Sequence, residues 1–253
     1  MLPYLYSDMK QTLYQYLAQS GLFGNRKELL RALKKGKVKI DGKIVTKHNF
    51  QFNPNKRKIT YNGKPVVKQN LIYYTIHKPI GYVCQKNDYQ RRPFVLDLLK
   101  GKVNGKVLNS LSLAGRLDVD TSGLMIATND GNFIHAIMHP RNKVIKKYEA
   151  VLDKPIVEQD IQKIKHGILI KPEENEAYTA KVTVYHAKGN TLIIGITEGK
   201  KRQIRLMFKT VGYEVKQLKR IAIGNLLLQH LAVGKFMELD KQRIEKGLIQ
   251  KDF

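Results

Sequence analysis

Residues 114–131 read AGRLDVDTSGLMIATNDG and hold the densest set of reactive side chains in the chain. Two carboxylates, Asp118 and Asp120, stand beside Arg116, Thr121 and Ser122, just ahead of an apolar run that reads as a buried strand. A polar loop entering such a strand can hold a carboxylate fixed and partly desolvated, as a nucleophile or general base requires. The same composition also suits an Asx-rich loop tied down by its own side chains. Residue types alone leave both readings open. Other chemistries lack their parts: there is no Gly-Lys-Ser/Thr phosphate loop and no Gly-x-Ser-x-Gly elbow. A single cysteine, Cys84, with scattered histidines gives no zinc spacing. His135 and His139 stand four apart at a predicted helix end with no third ligand, a surface or capping pair.

The charge says what such a loop would act on. The 253 residues carry 46 Lys+Arg against 21 Asp+Glu, a formal charge of +25. A balance this basic on a chain with 42 % hydrophobic residues points to a polyanion, nucleic acid first and an anionic membrane second. One cysteine excludes a disulfide-stapled scaffold and favours the reducing cytoplasm. No apolar run approaches the ~20 residues of a membrane helix, and the N-terminal MLPYLYSDMK lacks the pattern of a signal peptide. Residues 1–70 hold 15 of the basic residues but only 3 of the acids. That asymmetry predicts a small basic domain over 1–69 and a larger, more balanced one over 70–253.

In the small domain Leu13, Tyr16 and Leu17 have helical spacing, and Gly21 stops the helix. Asn25 and Glu28 form a capping-box-like pair ahead of a second helix that runs through Leu29, Leu30 and Leu33 to Gly36. Asp41-Gly42 and Asn62-Gly63, each between short β-rich runs, predict two hairpins. The second helix carries Arg26, Lys27, Arg31, Lys34 and Lys35, with Lys37 just beyond, and only Glu28 to offset them. Lys27, Arg31, Lys34 and Lys35 share one face, an RNA-facing stripe rather than a merely solvated one. The stretch GLFGNRKELLRALKKGKVKIDGKIV resembles the RNA-binding domain named for ribosomal protein S-four, over about residues 10–67. Asn25 stands where that family commonly has serine, and both can cap.

The larger domain reads as α+β, strand-rich, with hairpins and no regular strand–helix alternation. Strands are predicted in LIYYTIHK, in GYVC after a turn, and in GLMIAT, KKYEAVL, YTAKVTVYHA, TLIIGITEG and YEVKQLKRIAIG. Helices are predicted in FVLDLL, GNFIHAIM, VEQDIQKIKHG and RQIRLMFKTVG.

Five motifs then occur in order. Gly115-Arg116-Leu117-Asp118 with Asp120-Thr121-Ser122-Gly123-Leu124 resembles the catalytic motif of pseudouridine synthases, most closely the ribosomal RsuA-type branch. His77-Lys78-Pro79-x-Gly81-Tyr82 resembles its opening motif and Lys147-Tyr148-Glu149 its tyrosine motif. Glu198-Gly199-x-x-Arg202-Gln203-Ile204-Arg205-x-Met207-Phe208 and Leu218-Lys219-Arg220-x-x-Ile223-Gly224 resemble the last two. Leu206 departs from a commonly basic position, which bears on a phosphate contact and leaves the catalytic set complete.

The resemblance implies a largely antiparallel catalytic domain that isomerises a uridine in ribosomal RNA with no cofactor or metal. It implies Asp118 as the carboxylate at the sugar, Arg205 as its ionic partner and Tyr148 stacked on the detached uracil. Arg116 would fill the space vacated by the flipped base, and Asp120 would stabilise the loop. The implied partner is ribosomal RNA or a pre-ribosomal particle, more in the manner of the small-subunit enzymes, and the chain is expected to act as a cytoplasmic monomer. The alternative is a non-catalytic RNA-binding ribosome-assembly factor on the same scaffold, from which loss of one of the three site residues would be expected.

Overall fold

The computed structural model describes residues 10–86, 88–172, 176–240 and 243–244. The N-terminal stretch read above against a signal peptide lies almost wholly outside them. The first elements are β1 (Gln11–Thr12), α1 (Leu13–Gln19), α2 (Arg26–Lys34), β2 (Val38–Ile40), β3 (Lys43–Ile44), β4 (Gln51–Phe52), β5 (Ile59–Tyr61) and β6 (Lys64–Pro65). Thr12 caps α1 in a capping box with Gln15, and Asn25 Oδ1 caps α2 through the Glu28 amide at 2.9 Å. Glu28 reaches back one residue further than expected, to the Gly24 amide at 2.8 Å. Both hairpin dipeptides adopt positive φ, 48° and 82° at Asp41-Gly42 and 49° and 79° at Asn62-Gly63, as a two-residue type I′ turn demands. Leu13, Tyr16 and Leu17 pack on Leu29, Leu33, Val38, Ile40, Phe52 and Ile59 in a core of their own. The basic side chains of α2 face outward.

The rest of the chain adds β7 (Tyr73–Lys78), α3 (Gly105–Ser110), β8 (Ser112–Leu113), β9 (Ser122–Thr128), α4 (Gly131–Met138), β10 (Lys146–Leu152) and α5 (Glu158–His166). There follow β11 (Ile168–Ile170), β12 (Tyr178–Ala180), β13 (Thr183–Lys188), β14 (Thr191–Ile196), α6 (Gln203–Thr210), β15 (Val215–Ile223), β16 (Leu226–Leu227) and β17 (Phe236–Leu239). One mixed sheet dominates, ordered β13-β14-β10-β15-β9-β7-β17, with β16 on β15 and β8 on β9. Every pairing within it is antiparallel except β15 with β9. This is the α+β, largely antiparallel architecture expected.

The central strands are covered on both faces. Met125 and Ala127 of β9 join the core beneath α5 and α6, while Leu124 and Ile126 join the one beneath α4. That double burial is why GLMIAT is continuously apolar and not alternating. Strand β10 alternates, with Lys146, Tyr148, Ala150 and Leu152 buried and the residues between them half-buried.

Three predicted elements differ. The GYVC strand is a single bridge, Val83 to Phe94. Its polar groups serve the neighbouring loop instead: the Gly81 amide donates to Val119 O at 2.8 Å and the Cys84 thiol to Leu117 O. FVLDLL forms a 3-10 turn over Val95–Leu99, started by the Asp97 carboxylate accepting from the Phe94 amide. YTAKVTVYHA splits into β12 and β13, because the Val182 amide donates to Ile164 O and the two halves pair with different strands.

The N-terminal elements touch the larger part at α1 and α3. A Cβ on Gly21 would stand 1.8 Å from Lys106 O, so no side chain fits there. Gln69 N donates to Gln19 O, and Lys86 Nζ donates to Gly24 O at 2.6 Å. This last bond fastens the segment just before α2 to the loop that follows Cys84.

Candidate active site

The loop between β8 and β9 is fixed at alternate residues. The Cys84 sulfur bridges Leu117, accepting from its amide and donating to its carbonyl at 3.4 Å each. Val119 O takes the Gly81 amide. Thr121 O takes the Lys78 ammonium at 2.7 Å. The Asp120 carboxylate takes Arg202 Nη1 at 2.9 Å, and its backbone carbonyl takes Arg205 Nη2 at 2.9 Å. Gly123 then enters β9 at φ 113°, where a Cβ would stand 2.3 Å from Arg220 O. Only glycine admits strand β15 so close.

Between these clamps the half-buried Asp118 carboxylate receives no hydrogen bond or ion pair from the described residues. It points into a cavity of about 470 Å³, lined among others by Arg116, Tyr148, Ile196, Ile204, Arg205 and Leu218. That volume lies in the range of small-ligand sites. Its floor is apolar, and its rim is basic through Arg92, Arg116, Lys200 and Arg202. Tyr148, 6 % exposed, comes from β10 at a register shift and stands opposite Arg220 of β15. An anionic oxygen, an aromatic face and a cationic rim suit a flat, polar ring carried on a phosphate chain.

Arg205 departs from the sequence expectation. Its ion pair is with Asp120, Nε to Oδ2 at 3.1 Å, and not with Asp118. The cause is the fork's fixed geometry: Nη1 is held by Val215 O at 2.6 Å and Nη2 by Asp120 O, which aims the guanidinium two residues past Asp118. Arg205 still feels the Asp118 charge across the cavity. Burial lowers its pKa, against the opposing pull of Asp120. Asp120, joined to two arginines, is the loop-holding residue expected.

The α6 entrance is also built locally. Gln203, 2 % exposed, accepts from the Lys200 amide at 3.0 Å and donates to Glu198 at 2.8 Å. The bend this closes sets Arg202 at φ 54° and presents both arginines to Asp120.

Sequence reasoning gave no role to two interior cations. Lys78 is fully buried, and Arg220 is 2 % exposed with Nε on Leu124 O at 2.7 Å. They hold the two ends of the turn into β9. Burial pushes the Lys78 ammonium down to about 8, with Asp120 and Asp118 among the groups pulling the other way. Their signal lay in the motifs that contain them, as charges set among apolar strand residues. An unfolded lysine titrates near 10.4, so between pH 8 and 10 the unfolded chain holds a proton that the folded chain has lost. Stability relative to Lys78→Met should therefore rise with pH across that window, by up to about 3 kcal/mol. Paired urea melts at pH 7, 8.5 and 10 measure this; a constant difference would contradict it.

Of the other residues singled out, Arg116 is exposed at the cavity rim. Arg26, Lys27, Arg31, Lys34, Lys35 and Lys37 are all exposed and none lines the cavity. His139 follows α4 and caps the start of the next turn, Pro140–Asn142, accepting from the Arg141 amide at 3.3 Å, with its ring 4.8 Å from that of His135. Among the described residues no helix is long and apolar enough to cross a membrane.

Comparison with known proteins agrees with this geometry. Residues 72–210 match the RNA pseudouridylate synthase family model, and residues 11–58 match the S4 domain. The chain is 32 % identical to the ribosomal large subunit pseudouridine synthase B of Bacillus subtilis, covering 93 % of this chain and 95 % of that one. It is 33 % identical to the ribosomal small subunit pseudouridine synthase A of Escherichia coli, covering 85 % and 90 %. A crystal structure of a pseudouridylate synthase superposes with a TM-score of 0.66 at 29 % identity, over 94 % of this chain and 99 % of that one. With the family model covering more than half its length and its motifs gathered around one cavity, this chain belongs to the RNA pseudouridine synthases, isomerases of uridine, and carries an S4 domain at its N-terminal end.

Proposed function

We propose that the chain isomerises a specific uridine of ribosomal RNA, with Asp118 as the reacting carboxylate. The observation that carries this is the placement of Asp118, unpaired on a loop clamped on both sides, in a cavity shared with Tyr148. The reaction breaks the bond between N1 of uracil and the ribose, turns the base, and joins C5 to the same sugar carbon; C5 then loses its proton to N1. It is redox-neutral. Asp118 serves either as nucleophile at the sugar or as base at the 2′ carbon, and both roles need an ionised oxygen free of protein donors. Tyr148 stacks on the freed uracil and assists loss of the ring proton. Arg205 acts through Asp120, holding the loop that aims Asp118. The uridine must leave its helix to reach the cavity, and Arg116 on the rim takes the vacated space.

The named relatives act on ribosomal RNA, from both subunits and at similar identity. The opening His77–Cys84 run and the Gly-Arg-Leu-Asp-x-Asp-Thr run favour the small subunit. We place the protein in the cytoplasm as a monomer. Residues 1–69 form the docking domain and 70–253 the catalytic one. The test is to map carbodiimide-reactive pseudouridines across both ribosomal RNAs with and without the gene. One site lost from the small-subunit RNA is the expected result; an unchanged map would remove the rRNA assignment.

The α2 stripe would supply much of the docking. Changing Lys27, Arg31 and Lys34 to glutamate should reduce the slope of log affinity against log salt by about 0.7–0.9 per lost phosphate contact. The fold should survive, since all three side chains are exposed and only a favourable helix-end interaction of about 0.3–1 kcal/mol each is lost at Arg31 and Lys34. Filter binding over a salt series reads it, and an unchanged slope would make α2 a solvated face.

A further inference from the structure

The loop that follows β7 carries a feature the isomerase chemistry leaves unused. Asp88 and Arg92 line the rim of the Asp118 cavity, and between them the chain turns through Tyr89, Gln90 and Arg91. The turn is locked. The Asp88 carboxylate accepts from the Arg92 amide at 3.0 Å, from Arg92 Nε at 2.9 Å and from Arg92 Nη2. The Asp88 carbonyl accepts from the Arg91 amide at 3.1 Å, with Arg91 at φ 54°. Outside the turn, Val83 N donates to Pro93 O and Val95 N to Val83 O, both at 2.9 Å.

On this braced turn Tyr89 is fully exposed, at 105 %, the most exposed large apolar side chain among the described residues. Its ring contributes nothing to any of the cores. The surroundings are cationic. Lys86 and Arg91 are exposed, Arg116 lines the same cavity, and the acid Asp88 is already matched by Arg92. Lys86 reaches Gly24 O, so the basic surface continues toward the start of α2. An aromatic face held out on a rigid turn, among cations and beside a nucleotide-sized cavity, is the combination by which proteins hold single-stranded nucleic acid: bases stack and cations track the backbone.

We infer that Tyr89 is a stacking platform for the base of a nucleotide next to the target uridine, with Arg91 at that nucleotide's phosphate. The inference rests on the RNA-isomerase reading and adds a subsite to it. While the uridine occupies the cavity, a neighbour on the same strand is drawn out of its own stack and loses a partner. Tyr89 supplies the replacement face at the rim. Charge complementarity selects an RNA strand as the occupant over a protein surface.

The test uses the full chain carrying Asp118→Asn, so that the substrate persists. The probe is a heptaribonucleotide with a central uridine and a fluorescent 2-aminopurine on one side or the other, at low salt. Binding should quench 2-aminopurine at one of the two flanking positions. Adding Tyr89→Ala should abolish that quench and weaken binding about five- to hundred-fold, whereas Tyr89→Phe should keep both. Melting temperatures should be unchanged throughout, since the ring packs against nothing. A parent that binds without quenching, or a Tyr89→Ala protein that quenches like its parent, overturns the stacking inference and leaves the isomerase reading standing. A parent with no affinity for uridine-containing RNA overturns the RNA reading, and the inference with it.

Discussion

Asp118→Asn should lower the rate of pseudouridine formation by about 10⁴-fold or more, the scale seen when an essential reacting group is removed, while RNA affinity changes by less than threefold. The substitution keeps shape and volume and removes the anionic oxygen. Among the described residues none donates a hydrogen bond to that carboxylate or forms an ion pair with it, and the neighbouring clamps act at Leu117, Val119, Asp120 and Thr121. The melting temperature should therefore hold. Single-turnover tritium release from 5-³H-uridine RNA measures the chemical step, and filter binding measures affinity. A variant with near-normal turnover would move the chemistry to another residue. A wild-type chain that binds ribosomal RNA and never releases tritium would favour the assembly-factor alternative.

The contrast between Asp118 and Asp120 shows where sequence reading stops. Both carboxylates, both arginines and the tyrosine could be read from the motifs, because each lies in a run whose residue types are unusual together. Which carboxylate Arg205 meets could not. That depends on the bend set by Gln203 and Glu198, on Val215 O from the far end of β15, and on where β9 begins. The Arg205–Asp120 contact spans 85 residues, and both it and the Val215 contact use backbone carbonyls, which carry no residue signature.

The fold divides in the same way. The hairpins, the caps and strands β9, β10 and β14 follow from local pattern, since turn chemistry and burial period are written in adjacent residues. The GYVC segment follows none, because the Gly81 amide goes to the catalytic loop and the Val83 backbone to Pro93 and Val95, which leaves only a single bridge. Lys78 and Arg220 were hidden for a different reason. Composition assigns such residues to the surface, and only their place in strands covered on both faces puts them inside.

A chain beginning at Asn70 should fold, retain its chemical step and lose most of its hold on large RNA. Folding should survive because the cores beneath α4, α5 and α6 draw only on residues beyond 71. What is lost across the junction is small: the α1–α3 contact and the Lys86–Gly24 bond. The removed residues hold 15 of the 46 Lys+Arg and 3 of the 21 Asp+Glu, including the whole α2 stripe. The salt slope of binding should fall accordingly, by about 0.7–0.9 for each phosphate contact the module makes. On a short uridine RNA at low salt the truncated enzyme should approach the full-length single-turnover rate at saturating concentration. On intact ribosomal RNA at physiological salt it should need far more enzyme to reach the same rate. Single-turnover rate against enzyme concentration, for both lengths and both RNAs, separates binding from chemistry. Normal apparent affinity after truncation would show that the docking lies elsewhere, with the Lys86–Arg92 loop the nearest basic surface. A truncated protein that folds and binds but has no chemistry would show that Lys86, freed from Gly24, no longer holds that loop against the cavity, so that the N-terminal domain helps to build the active site itself.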